Sequence, residues 1–188
     1  RGGLDPLVCV NKIDLVEDDA ELQLTMHPYY ELGYQVLLTS AASGPGVDEL
    51  RDALVGKTTV LAGMSGTGKS SLLNAVQPGL NLRTQEISMD RGRTEGRHTT
   101  VGVAMYPLEA GGAIIDTPGV RDIAVRGVLQ NELSDLFPEM AVLVPGCRFY
   151  NCSHGDEPDC EVLKALENGI LARSRYDSYR AIRATLPP

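Results

Sequence analysis

Residues 63–70 read Gly-Met-Ser-Gly-Thr-Gly-Lys-Ser, and no other stretch restricts the fold so tightly. The spacing G-x-x-x-x-G-K-S needs a buried strand before it and a helix after it, because its glycines must turn successive N–H groups inward at a helix N-terminus. Both flanks comply. Thr58 to Ala62 is a short β-branched and apolar run, and Ser71 to Val76 carries leucines and good helix formers. The loop reads as a phosphate cradle. Gly63, Met64, Ser65, Gly66, Thr67 and Gly68 supply it, Lys69 reaches β- and γ-phosphates, and Ser70, followed by Ser71, brings a hydroxyl to bound magnesium. An α/β, P-loop protein is expected.

A second motif says which nucleotide. The apolar run Leu7-Val8-Cys9-Val10 ends in Asn11-Lys12-Ile13-Asp14, an N-K-x-D. A carboxylate at Asp14 accepts from both the ring N–H and the exocyclic amine of guanine, a donor pair adenine lacks on that edge. The stem of Lys12 can lie over the base, and Asn11 can tie this loop to the phosphate loop. A loosely helical stretch follows from Asp18 to Leu32, with Leu22, Met26 and Tyr29 or Tyr30 inward, and Pro28 is expected to kink or restart it. Tyr34 to Thr39 reads as a strand delivering Ser40-Ala41, whose backbone N–H can approach the guanine oxygen. Val47, Leu50 and Leu54 mark one face of a helix from about Val47 to Val55.

Residues 80–100 are polar, glycine-containing and rich in arginine, and end in Gly96-Arg97-His98-Thr99-Thr100. One of the two threonines, Thr99 or Thr100, is expected to ligate magnesium when a γ-phosphate is present. Val101 to Leu108 and Ala113 to Asp116 then form a hairpin around Gly111-Gly112. Asp116-Thr117-Pro118-Gly119 is a D-x-P-G: Asp116 would hold magnesium through water, and the Gly119 N–H would meet the γ-phosphate. The next residue, Val120, offers no hydrogen bond to an attacking water. His98 is the nearest polar candidate for that catalytic task. A helix is expected near Asn131 to Phe137.

Cys147, Cys152, His154 and Cys160 give C-x4-C-x-H-x5-C. Three thiolates and an imidazole suit a closed, structural Zn²⁺ site with no position left for water. Cys9, alone in an apolar run, reads as a core thiol. Helices are expected from Val162 to Glu167 and from Ser174 to Thr185, with Tyr176, Tyr179 and Ile182 inward. Arg173, Arg175, Arg180 and Arg183 decorate the second one, as a solvated face or an RNA contact. The net charge of −8 excludes nucleic-acid binding by bulk electrostatics, so any such contact is local. With 43% apolar residues and no apolar run near the ~20 residues of a membrane span, the chain reads as soluble with no membrane partner; its cysteines, read as a metal site and a core thiol rather than disulfides, point to the cytoplasm, and a monomer is expected.

In an ordinary GTPase the phosphate loop comes first and the guanine motifs last. Here the guanine motifs precede it, so the order is circularly permuted, which leaves sheet and site unchanged. Together NKIDL, SAASGPGVDEL, GMSGTGKSSLLN, GRHTT, IIDTPGVR and CRFYNCSHGDEPDCEV followed by RYDSYR closely resemble the ribosome small-subunit-dependent GTPase A family (RsgA or YjeQ), over nearly the whole chain. The resemblance implies a circularly permuted P-loop GTPase domain, residues 1–125, and a small, mainly helical zinc-binding domain, residues 126–188. It implies binding of GTP and GDP, and GTP hydrolysis stimulated by the small ribosomal subunit and its rRNA during late assembly, with release afterwards. It also points to His98. The rival expectation is a GTP-gated RNA- or protein-binding switch in which turnover is incidental. Family members also carry an N-terminal oligonucleotide-binding barrel and a further strand and helix of the GTPase sheet, so this sequence is expected to be a fragment.

Overall fold

The computed structural model describes residues 3–80, 82, 104–116 and 127–188. The chain divides into two compact units: residues 1–23 with 34–123, and residues 24–33 with 124–188.

In the first unit, β1 (Leu7–Asn11) pairs in parallel with β2 (Gln35–Thr39), from Leu7 opposite Gln35 to Asn11 opposite Thr39. A second ladder joins β3 (Thr58–Leu61), β4 (Ala104–Pro107) and β5 (Ala113–Asp116) in the order β3-β5-β4. β3 and β5 run parallel and β4 and β5 antiparallel. Among the described residues these ladders are separate rather than one sheet. The core lies under α2 (Val47–Leu54) and α3 (Lys69–Val76). Val47, Leu50 and Leu54 recur at helical spacing and bury against Leu72, Leu73, Val76, Leu108 and Ile114. Gly46 opens α2 at φ 70, and a Cβ there would fall 2.0 Å from the Leu38 carbonyl oxygen, so the turn that brings α2 onto β2 admits glycine alone.

Two expectations are corrected here. Cys9 is exposed on β1 rather than in the core, its Sγ 3.4 Å from Thr39 Oγ1. The helix α1 (Asp19–Glu31) runs unbroken through Pro28. A proline this near the C-terminal end forfeits one backbone donor, while the last turn still closes through Leu32 N–H to the Pro28 carbonyl (3.3 Å). Leu22, Met26, Pro28 and Tyr29 are the half-buried positions of α1, and Tyr30 is exposed.

The second unit is helical: α4 (Pro138–Ala141), α5 (Glu161–Glu167) and α6 (Arg173–Arg183), with short 3-10 turns at Leu133–Leu136 and Val144–Gly146. In place of one helix near 131–137 there is a 3-10 turn followed by α4. Pro138 forces the break, since the residue before proline is driven to extended backbone; Phe137 has φ −100 and ψ 102, and Pro138 opens the new helix. The core gathers Phe137, Met140, Val162, Leu171, Tyr176 and Tyr179, the Phe137 and Tyr179 rings meeting edge-on at 5.7 Å. Among the described residues no helix is long and apolar enough to cross a membrane.

Candidate functional site

Three sequence stretches converge at one groove in the first unit. It has a volume of about 340 Å³ and is lined by Asn11, Lys12, Asp14 and Leu15, by Ala41 and Ala42, and by Gly68 and Ser71. Register explains the first meeting: Asn11 and Thr39 are opposite residues at the ends of β1 and β2, so the residues just beyond them leave the ladder side by side. Thr39 and Ser40 are completely buried there.

Hydrogen bonds then fix the junction. The Ser40 hydroxyl donates to Oδ1 of Asp14 and accepts from Ser43 N–H (3.0 Å). Asn11 uses both ends of its amide: Oδ1 accepts from Ala41 N–H (3.1 Å), and Nδ2 donates to the Thr67 carbonyl (3.0 Å). Lys12, held at φ 71, donates from Nζ to the Gly66 carbonyl (2.6 Å). Two residues of the N-K-x-D run, Asn11 and Lys12, thus grip the glycine-rich loop. Gly68, at φ 88, makes room for this, since a Cβ there would fall 2.4 Å from Asn11 Nδ2.

Within the phosphate loop, the Lys69 ammonium donates to the carbonyls of Gly63 (2.6 Å) and Met64 (2.8 Å), and Thr67 Oγ1 donates to Met64 (2.9 Å). Ser65 belongs to the same exposed loop. Lys69 and Ser70 open α3, whose first turn contains no acidic residue to compete for an anion. Asp116 closes β5, in register with Leu61 just before the phosphate loop. His98, Thr99, Thr100 and Gly119 lie outside the described residues. Leu15 and Ala42 line the groove without having been singled out in the sequence; their only signal there is adjacency to Asp14 and Ala41.

In the second unit Cys147, Cys152, His154 and Cys160 bring four ligand atoms within 4.8 Å of one another. Cys147 Sγ lies 3.9 Å from Cys160 Sγ, and His154 Nδ1 lies 3.7 and 3.4 Å from those two sulfurs. A tetrahedral Zn²⁺ with ordinary Zn–S and Zn–N bonds needs edges of about 3.8 Å between sulfurs and about 3.6 Å between sulfur and nitrogen. The donor set and the spacing fit zinc. Burial pushes the Cys152 thiol up to about 12 and raises that of Cys160, and burial lowers the His154 imidazole. Such a cluster favours neutral ligands by itself, and a cation bound there displaces thiol protons.

Side chains outside the ligand set hold His154 in place, and these were not legible as such in the sequence. Glu157 accepts backbone N–H bonds from Ser153 (2.6 Å) and Gly155 (2.8 Å). Burial would raise its carboxyl, but these bonds outweigh it and hold the group at about 2. On α6, the Tyr176 hydroxyl donates to the His154 carbonyl (2.7 Å) and that of Tyr179 to the Ser153 carbonyl (3.1 Å). The α6 arginines do not form a single solvated face. Arg173 pairs with Asp177 at the surface, whereas Arg175 is mostly buried against Glu139 (2.6 Å) and lies over the rings of Phe137 and Tyr29.

A family model described as RsgA GTPase matches residues 1–126. The small ribosomal subunit biogenesis GTPase RsgA of Caldanaerobacter subterraneus subsp. tengcongensis is 42% identical over 176 residues, which cover 94% of this chain and 58% of that protein. Among solved structures, YjeQ from Thermotoga maritima superposes with a TM-score of 0.75 at 36% identity, over 98% of this chain and 60% of that one. YloQ, described as a circularly permuted GTPase, gives 0.69 at 33% identity, over 95% of this chain and 56% of its own. The chain thus spans somewhat more than half the length of the relatives it matches.

Proposed function

Since this chain belongs to the RsgA GTPase family, we propose that it binds GTP, hydrolyses it to GDP and phosphate, and serves the late assembly of the small ribosomal subunit, which stimulates turnover. The relative from Caldanaerobacter is named for the biogenesis of that subunit. The observation that supports the reading is the groove where Asp14, Ala41 and Gly68 meet, because guanine recognition next to phosphate binding needs a carboxylate and a glycine-rich loop on one groove. The division of labour at residues 125 and 126, a GTPase domain followed by a zinc-binding domain, belongs to the same proposal. So does work as a monomer in the cytoplasm, away from membranes.

Each residue has a role in it. Asp14, steadied by Ser40, accepts the two donors of guanine, and the Lys12 stem flanks the base. Gly63 to Gly68 turn N–H groups to the phosphates, and Lys69 exchanges its bonds to the Gly63 and Met64 carbonyls for β- and γ-phosphate oxygens. Ser70, Asp116 through water, and Thr99 or Thr100 would hold Mg²⁺, which when bound supplies charge neutralisation between the β- and γ-phosphates. Gly119 contacts the γ-phosphate, and His98 orients the attacking water, a task Val120 cannot perform. Cys147, Cys152, His154 and Cys160 would hold one Zn²⁺, which supplies cross-linking of a segment poor in apolar residues.

Binding and turnover test this separately. Asp14→Asn places an amide donor against guanine's own donors, so GTP affinity falls ~10²-fold or more and xanthine nucleotides are preferred. Unchanged GTP affinity in that variant sinks the guanine assignment. His98→Ala keeps GTP and GDP affinity within roughly threefold and lowers subunit-stimulated hydrolysis by ~10²-fold. Normal stimulated turnover at saturating GTP and subunit removes His98 from the mechanism.

A further inference from the structure

The loop from Ser153 to Asp156 is fastened on both sides of its backbone by side chains. Glu157 Oε1 takes the Ser153 N–H, while Oε2 takes those of Gly155 (2.8 Å) and Asp156 (3.3 Å). The carbonyls are taken from the opposite direction. Tyr179 donates to Ser153 and Tyr176 to His154, and the two tyrosines, three apart on α6, share one helix face. Between these fastenings His154 is 1% exposed and sits at φ 55, a left-handed conformation that costs an L residue free energy and persists only where its surroundings impose it. A backbone flip to the ordinary region would swing the imidazole out of line with the sulfurs of Cys147 and Cys160.

We infer that Tyr176 and Tyr179 are positioning residues of the metal site: by holding the carbonyls of Ser153 and His154 they keep His154 Nδ1 turned to the three thiols, so the grip on zinc depends on a docked α6. This rests on the reading of Cys147, Cys152, His154 and Cys160 as zinc ligands. The four ligands end at Cys160, yet the side chains that aim the imidazole come from a helix beginning at Arg173. The metal site therefore extends about twenty residues beyond its last ligand. Glu157 completes the frame from the amide side.

Phenylalanine separates positioning from packing, because it keeps the ring and removes only the hydroxyl that reaches the ligand loop. Tyr176→Phe, Tyr179→Phe and the double variant of the whole chain are loaded with zinc, and release to a chelating dye is timed. Ile182→Val is the control: it trims the same helix where it packs on the same core and removes no bond to residues 153–156. A second set is loaded with Co²⁺ and its visible absorption recorded, which reports ligand geometry and not stability. Each single hydroxyl loss should speed release roughly fivefold to tenfold, the scale of a buried hydrogen bond. It should also shift the Co²⁺ bands, while Ile182→Val leaves both near parent values. Single variants that release zinc at the parent rate with an unshifted spectrum overturn the positioning role and leave the metal reading intact. Equal acceleration by Ile182→Val overturns it too, since general loosening of α6 would then suffice. A parent chain that holds no zinc overturns both. The single variants decide the matter if the double variant does not fold.

Discussion

Arg175 is the side chain whose removal should cost this protein most for its apparent modesty. Its side chain is 14% exposed and that of its partner Glu139 15%, with Nε and Oε1 2.6 Å apart. The guanidinium carbon lies 4.8 Å from the Phe137 ring centroid and 5.3 Å from that of Tyr29. Arg175→Ala leaves the Glu139 carboxylate in a dry place without its cation. Breaking a buried pair from one side costs ~3–5 kcal/mol, and residual exposure argues for the lower end. Two partly desolvated cation–ring contacts add ~1 kcal/mol together. The expected loss is about 4 kcal/mol, or roughly 10 °C in melting temperature for a chain of this size. Arg175→Lys keeps the charge but not the planar group that spans carboxylate and rings, and should lose about half as much. Arg175→Met with Glu139→Leu removes the pair together and should recover to within ~1 kcal/mol of the parent. The chain has no tryptophan, so urea unfolding of zinc-loaded protein is followed by far-UV circular dichroism. A loss below ~1 kcal/mol for Arg175→Ala would place the pair among ordinary surface salt bridges and refute the reasoning. A double variant as unstable as the single one would do the same.

Gly68→Ala forces a Cβ to within 2.4 Å of Asn11 Nδ2 at a left-handed φ, so guanine-nucleotide affinity should drop by at least ~10²-fold; titration with a fluorescent GDP analogue checks this, and a loss under threefold contradicts it. Glu157, held at about 2 against 4.5 when unfolded, contributes stability that is present in full above the unfolded value and drains away as pH falls from about 4.5 through 2. Glu157→Gln should therefore be less stable than the parent at pH 7, with the gap closing toward pH 2; a gap independent of pH speaks against the ionised carboxylate as its cause. Cys152→Ser, or prolonged chelation, should abolish one zinc per chain and expose residues from about Cys147 onward to protease, with basal GTP hydrolysis largely kept. Protease resistance unchanged by metal loss would show that the helical core holds the segment alone.

That Asn11 to Asp14 and the glycine-rich loop meet, and that the Cys/His ligands cluster, was legible because each packs its residues into a short run whose spacing carries the geometry. The helical face of Val47, Leu50 and Leu54 was legible for the same reason: period 3.6 is a local property. What escaped depends on contacts across the chain. Cys9 belongs to an apolar run, and nothing local says that its own side chain is left exposed. Arg175 looks like its neighbours on a charged helix, and only the fold brings Glu139 and two aromatic rings to it. Tyr176 and Tyr179 were read as inward from their spacing, but their hydroxyl partners lie more than twenty residues upstream. At Pro28 the helix does not restart, since a proline near a helix end sacrifices a single bond.

Asn11 and Gly68 also bear on how such a protein can change over generations. The amide at 11 binds Ala41 with one end and Thr67 with the other, and it occupies the space a side chain at 68 would need. Any enlargement at 68 collides with it. A shorter residue at 11 relieves the collision but unties both loops. Neither position can drift first and wait for the other, so they form a locked pair in any mutational walk, 57 positions apart in the chain. A library that randomises the phosphate loop alone will return glycine at 68, and any other residue there will survive only in variants that rebuild the strand end around residue 11 in the same step.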